Sequence, residues 1–552
     1  MDYLNTLTKS APIHNAIQLI QQSPITHRWT DFYKRSTRNE LTFLGAAAFL
    51  TVYNLASYIK AKRQRLNLPP TVPFSLPFVG HSLYIMAMPN KFIDWCNRNY
   101  GELYNIDLLG KEITVASGKC AEEALKASQF DLSLQEGVVK GNYIASTKLS
   151  IKSKWLINHY IDLLHLDYVF DPHTMAIGIE ANPIVAKATV SSNKMPMYIP
   201  GIQIGLERGV NTLFKKGEPT IVNAPSPFLQ NFVAYMSVPT LLGEEVATNA
   251  EVIKSFAEFT GDVTKNVGLF MFVPKFLHPY VVSYLQSADK HYKVMEKYVV
   301  PVIQERREKM KQAKEAGLEH GLEHNFLQGL MEFPNIDDPS KVYTEIELAH
   351  TVLLVAFASV HTTSMNLSFS IYWLIARPDL KEKLLEEIER IVPGNTHVTH
   401  EALHQMKFLN NFMREVLRQG ADKLANGKKA LRDYTFQNGY QVPEGRSVNT
   451  TLRELNFGDN TIRSTVEEMD PTQSLNKACT SPARDFASFG MGKHMCPGRF
   501  FAIQEIEMSL IYLLKHFEID TVSGKQPYPV PSIAGIFSVN CEEPLIFTPK
   551  NI

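Results

Sequence analysis

The feature that most restricts what this chain can fold into is a cysteine set in a glycine-rich turn directly ahead of an apolar helix pattern. The stretch reads Phe486-Ala487-Ser488-Phe489-Gly490-Met491-Gly492-Lys493-His494-Met495-Cys496-Pro497-Gly498-Arg499. Gly490, Gly492 and Gly498 surround the cysteine, where a backbone must bend sharply and approach something flat. From Arg499 onward, RFFAIQEIEMSLIYLLKHF reads as an apolar helix. The thiol therefore lies just before a helix N-terminus, where partial positive charge favours the thiolate. The five cysteines (Cys96, Cys120, Cys479, Cys496, Cys541) are odd in number and show no CxxC pairing. That argues against a disulfide framework and for a reducing compartment, where an unpaired thiolate can serve chemistry. No zinc-type cluster is visible.

Of the 552 residues, 45% are hydrophobic and 20% charged, which suits a folded chain with a large core, and the formal net charge is zero. That balance argues against a nucleic-acid binder driven by phosphate neutralisation. The run LTFLGAAAFLTVYNLASYI, residues 41–59, carries no charge. At about 1.5 Å per residue it spans roughly 28 Å, close to a bilayer core, and reads as a transmembrane anchor. Basic residues flank both ends (Arg28, Lys34, Arg35 and Arg38 before; Lys60, Lys62, Arg63 and Arg65 after), so charge gives no orientation. Pro69, Pro70, Pro73 and Pro77 then suggest a semi-rigid tether. The organisation expected is an N-terminal extension over 1–40, the anchor over 41–59, a basic and proline-rich linker over 60–80, and one folded body over 81–552.

Within that body the long patterns are helical and the strands short, giving a mainly α class with small β-sheets. Hairpins are expected about Leu109-Gly110-Lys111 and at Asn438-Gly439. The charged run from Val300 to Glu323 reads as a solvated helix face followed by a loop. Thr344 with Glu347 forms a capping-box start, and the apolar pattern continues to Arg377-Pro378. That length suits a helix crossing a whole globular body; His350, His361 and Asn366 make a second membrane span costly. Inside it lies Ala358-Ser359-Val360-His361-Thr362-Thr363. Further on, LNNFMREVLRQG places Glu415 and Arg418 three apart, as neighbours on one helix face.

The cysteine stretch resembles the heme-binding loop of the cytochrome P-450 family, with Phe489, Gly490, Gly492, His494, Cys496 and Gly498 matching it position by position. The resemblance implies that Cys496 is the proximal metal ligand of heme b iron, whose thiolate favours O–O cleavage. It further implies that Phe489 packs beside the sulfur and that His494 pairs with a heme propionate. The family's Glu-x-x-Arg pair falls on Glu415 and Arg418, a lock that holds the heme pocket with a second arginine. Arg463 is the candidate for that partner, with Arg453 and Arg484 as alternatives. The long helix carries what resembles the oxygen-activation signature: Ala358 lines the distal heme face and Thr362 relays a proton for O–O cleavage. His361 stands where the family places an acid. The early-helix residues that bind a propionate have only Lys187 as a counterpart. The implied fold is the family's triangular prism, with the heme between the long central helix and the helix after the cysteine loop, and one N-terminal transmembrane helix.

The function implied is a heme-dependent monooxygenase, over 81–552, that inserts one oxygen atom from O2 into a lipophilic small molecule. The loop and the Ala-Ser-x-His-Thr-Thr signature look like fungal microsomal members, which oxidise terpenoids, steroids and other secondary metabolites or xenobiotics. Electrons would come from NADPH through NADPH–cytochrome P-450 reductase, with cytochrome b5 as a second candidate donor. Lys493 and Arg499 are candidates for a basic proximal patch facing such a partner. The location implied is the endoplasmic reticulum membrane, single-pass, with the catalytic domain cytosolic. Two other readings stand beside this one: a heme-thiolate isomerase, dehydratase or peroxygenase needing no external electrons, motivated by His361, and a non-catalytic membrane heme-binding protein.

Overall fold

The expected capping box is formed. The Glu347 amide donates to the Thr344 hydroxyl at 3.2 Å, and the Thr344 amide donates to the Glu347 carboxylate at 2.7 Å. The helix it starts runs Glu345–Ala376 and stops before Pro378, whose ring cannot continue it. In this computed structural model the described residues are 37, 51, 66–77, 79–108, 111–134, 172–264, 277, 280–281, 288–335, 338–394, 397–420, 424–452, 455–456, 468–474, 477–483, 485–527 and 541–550. The expected anchor over 41–59 lies outside the described residues apart from Thr51, and so do Arg453, Arg463 and Arg484.

Among the described residues the helices of nine or more residues are α1 (Pro89–Tyr100), α2 (Gly118–Lys126), α3 (Pro172–Thr189), α4 (Met195–Leu213), α5 (Pro225–Leu242) and α6 (Ala250–Thr264). They continue with α7 (Asp289–Glu315), α8 (Glu345–Ala376), α9 (Pro378–Ile391), α10 (Lys407–Gly420) and α11 (Arg499–His516). The strands are β1 (Leu103–Leu108), β2 (Lys111–Ala116), β3 (Leu132–Ser133), β4 (Thr220–Val222), β5 (Leu424–Ala430), β6 (Tyr434–Thr435), β7 (Gln441–Val442), β8 (Ser447–Thr451), β9 (Phe517–Thr521) and β10 (Leu545–Pro549).

The helix α8 packs against α3, α5, α6, α7, α10 and α11. Leu348, Val352, Leu353, Ala356, Leu367, Phe369 and Tyr372 are all buried in the main core. Its apolar length is thus accounted for by burial inside the fold. Gly205 lets α4 and α5 approach backbone to backbone: a Cβ there would stand 2.3 Å from the Tyr235 carbonyl oxygen.

The strands form three small sheets, in the orders β1-β2-β8-β5-β3, β4-β10-β9 and β6-β7. Both expected hairpins are present. Leu108 pairs with Lys111 at the closed end of β1 and β2, and Gly439 takes φ +85 between β6 and β7. Two details add to the sequence expectations. The proline-rich linker is already part of the sheet edge by residue 70, since the Asn105 amide donates to the Pro70 carbonyl at 2.8 Å and the Val72 amide to the Asn105 carbonyl at 2.9 Å. Along the charged run on α7, Arg306 turns inward and is 4% exposed. It donates to Glu245 at 2.9 Å and to the Leu242 carbonyl at 2.7 Å, tying α7 to the end of α5.

The helix α11 carries a buried carboxyl, Glu505, whose Oε1 accepts from the Ser237 hydroxyl of α5 at 2.7 Å while Oε2 has no partner. Burial raises this carboxyl from the usual value of 4.5 to about 8. The folded chain therefore holds a proton that the unfolded chain releases, so this contribution to stability is present at acid pH and is lost as pH rises toward 8. Between pH 5 and 8, Glu505→Gln is expected to flatten the decline of unfolding free energy by about 1.4 kcal/mol per pH unit. Urea denaturation at several pH values measures this; parallel profiles for the two proteins would contradict it.

Candidate active site

The cysteine loop is held by its own main chain. The Gly490 amide donates to the Ala487 carbonyl at 2.7 Å, and the Cys496 amide donates to the Phe489 carbonyl at 2.9 Å. Gly490 at φ +76 and Gly492 at φ +69 occupy the left-handed region, which a side chain would strain. Gly492 also lies against α2, where a Cβ would come within 3.1 Å of the Lys126 Cα. Gly498 is different: it sits at φ −84 as the N-cap of α11, and a Cβ there would meet no atom within 4 Å.

Cys496 is half-buried. Burial raises its thiol, while the amides of Gly498 and Arg499 and the Arg499 guanidinium pull the other way. These are the start of α11 acting on sulfur, as its position before the helix predicts. Arg499, expected in a proximal surface patch, is instead engaged with the loop. It donates to the Cys496 carbonyl at 2.7 Å and to the Thr480 carbonyl at 3.0 Å, and its guanidinium stands 4.2 Å over the Phe500 ring. Lys493 is exposed, and Phe489 is half-buried against the core.

On α8, Ala358 and Thr362 are exposed although Ala356, Val360 and Thr363 beside them are buried. Spaced four apart, they share one face. The Thr362 hydroxyl donates to the Ala358 carbonyl at 2.7 Å, leaving its lone pairs to accept. His361 is half-buried, and its Nδ1 accepts from Gln230 Nε2 of α5 at 3.1 Å, which places the ring proton on Nε2. The structure thus puts Thr362 and Ala358 together and holds His361 by α5, a partnership that the sequence reading missed.

Glu415 and Arg418 are both fully buried on α10, with Arg418 Nη2 2.9 Å from Glu415 Oε2. Arg418 spends its other donors on the carbonyls of Asn456, at 3.2 Å, and Glu468, at 2.9 Å. These two carbonyls bracket the stretch that contains Arg463. Asn456 also accepts from the Ala487 amide at 3.1 Å, and the Ser488 hydroxyl donates to the Leu417 carbonyl at 2.9 Å. The buried pair is therefore wired to the base of the cysteine loop. A second buried arginine, Arg414, donates to the Ala478 and Ser481 carbonyls at 2.8 and 3.1 Å and lies 3.9 Å over the Phe486 ring. Asn456 and Arg414 carried no signal in the sequence, because each acts through main-chain carbonyls distant along the chain.

A cysteine loop of this geometry, wired to a buried Glu-x-x-Arg pair, can be compared with known proteins. The family model for cytochrome P450 matches residues 184–540, more than half of the chain. The chain belongs to the cytochrome P450 family. Cytochrome P450 monooxygenase 71 of Postia placenta is 26% identical over 375 residues, covering 66% of this chain and 73% of its own length. Cytochrome P450 monooxygenase paxQ of Penicillium paxilli is 26% identical over 306 residues, covering 53% and 57% respectively. Among solved structures, the retinoic acid-bound cyanobacterial CYP120A1 shares the fold, with a TM-score of 0.59 at 17% identity, over 88% of this chain and all of that one.

A cytochrome P450 holds heme and uses O2, and the residues present fit that group. Cys496 stands at the head of α11, the small residue Ala358 and Thr362 are exposed on α8, and α8 packs on α11. Heme also brings two carboxylates, and a cationic cluster stands near the loop. Burial, first, and the charges of Lys428, Lys187 and Lys493 together lower the His494 imidazole from its ordinary value. Lys187 of α3 donates to the Lys493 carbonyl at 3.2 Å. Lys428 of β5 is buried, donates to the Ala124 and Leu125 carbonyls at 2.7 and 3.1 Å, and is pushed down to about 8 by burial. A carboxylate placed here would raise His494 and Lys428 back toward their ordinary values. Lys428 was missed in the sequence, where one lysine among several in a strand carries no signal.

Removing Arg418 leaves Glu415 buried without its guanidinium and frees the two carbonyls it holds. Arg418→Ala is expected to cost about 3–5 kcal/mol. Urea denaturation and heme bound per chain measure it, and a stable variant with full heme content would contradict the lock.

Proposed function

We propose that this cytochrome P450 inserts one oxygen atom of O2 into a lipophilic small molecule such as a terpenoid or steroid, taking electrons from NADPH through a membrane-bound reductase. The cysteine loop, with the Cys496 amide held by the Phe489 carbonyl directly ahead of α11, is the observation that carries the reading. Bound there, heme would supply the oxygen activation, its iron held by Cys496. Everything else is the work of this chain's own side chains. Phe489 would pack beside the sulfur, and the cationic cluster of Lys187, Lys428 and His494 would hold the two propionates. The Thr362 hydroxyl donates to the Ala358 carbonyl, which fixes its rotamer and leaves the Oγ1 lone pairs to accept a hydrogen bond. His361, held by Gln230, is the titratable group of this stretch and would exchange protons with the site through water.

Membrane attachment through residues 41–59 belongs to the same proposal, with the catalytic domain on the cytosolic face of the endoplasmic reticulum. A lipophilic substrate partitions into the bilayer, so an enzyme tethered there meets it at high local concentration. The uncharged length of that segment supports the attachment. The substitution of His361 for an acid supports a second reading, an isomerase, dehydratase or peroxygenase that needs no external electrons.

Turnover separates the two. With steroid and terpene substrates, product should form only with NADPH and reductase. Thr362→Ala should keep consuming NADPH while product yield falls by roughly tenfold or more. Product formed without an electron supply would replace the first reading by the second.

A further inference from the structure

The cysteines make no metal cluster, but the histidines hold a pair that the heme site does not use. Residues 400–404 read His-Glu-Ala-Leu-His and lie on the short helix His400–Gln405, which starts at Thr399, whose hydroxyl accepts from the Ala402 amide at 3.1 Å. Four residues apart, the two imidazoles occupy one helix face. Their Nε2 atoms are 2.9 Å apart, with ring planes at 87°. His404 is exposed, and His400 is half-buried with no hydrogen-bond partner on Nδ1.

Two nitrogens each about 2.0–2.1 Å from a shared ion stand roughly 2.9 Å apart at a right angle and roughly 3.4 Å apart at the tetrahedral angle. The observed distance, which is that of an imidazole hydrogen bond, is also that of neighbouring positions on a tetragonal or octahedral ion. We propose that His400 and His404 form a surface site for a tetragonal divalent cation, Cu2+ or Ni2+, whose remaining positions are filled by water or by a donor from outside the chain.

A metallopeptidase centre, which the same spacing can build, is not formed. Among the described residues no third His, Cys, Asp or Glu joins the pair. Glu401, which would be the general base of such a centre, is drawn instead to its own amide and to Thr399 at the start of the helix. The site therefore binds an ion and positions it at the surface. Chelation across the turn would also stiffen a helix too short to be stable alone.

The test uses the full heme-loaded chain titrated with Cu2+ alone, followed by calorimetry and electron paramagnetic resonance. One tight equivalent is expected, its spectrum showing two bound nitrogens. His400→Gln or His404→Gln should each weaken that equivalent at least tenfold, and the double variant should lose it, with thermal unfolding unchanged in the absence of metal. The chain has 17 histidines, so the difference between wild type and double variant is what decides. Equal affinity and stoichiometry in the two would overturn the proposal and leave the pair as a hydrogen bond only.

Discussion

The hydrogen bond from the Cys496 amide to the Phe489 carbonyl, 2.9 Å long, fixes where the sulfur can be, and much of the surrounding structure serves it. A thiolate that must meet iron from one side tolerates little movement of its backbone. Two glycines in left-handed geometry let the chain turn back on itself, and the second of them lies against α2. Arg499 then closes the turn from the other end by holding the Cys496 carbonyl. The loop is thereby pinned on both sides of the cysteine, and α11 begins at once behind it.

Support for that loop comes from buried charge used in an economical way. Arg414 and Arg418 are among the largest fully buried side chains, yet each donates to two main-chain carbonyls. A buried ion pair is on its own weak evidence for stability, because desolvation offsets much of its attraction. What the two arginines add is position: residues 456, 468, 478 and 481 are all tied to one helix, α10. Asn456 carries the restraint onward to the Ala487 amide, nine residues before the sulfur. The same principle appears at Arg306, which satisfies the carbonyl at the end of α5. Neither role depends on a neighbouring residue in sequence.

That explains what could be read in advance. The cysteine loop, the capped central helix, both hairpins and the Glu415–Arg418 pair were legible, since each is a local pattern with a local cause. Thr362 was singled out by the resemblance of its stretch to the family's signature, and it shares an exposed face of α8 with Ala358. Gln230 opposite His361, Asn456 beneath the loop and Lys428 beside His494 were not. Each is brought in by packing of elements far apart in the chain, and a single Gln, Asn or Lys has no periodicity to betray it. The hold of Arg499 on the carbonyls of Thr480 and Cys496 was not legible either, since a charge beside the cysteine shows only that it flanks the loop.

The account rests on sulfur–iron ligation at Cys496, and the reduced, carbon monoxide-bound absorption spectrum reads that bond most directly. Wild-type protein should show the strongly red-shifted Soret band of a thiolate-ligated heme, and Cys496→Ser should lose it. An unchanged band in the serine variant would contradict the assignment of the axial ligand and the mechanism built on it.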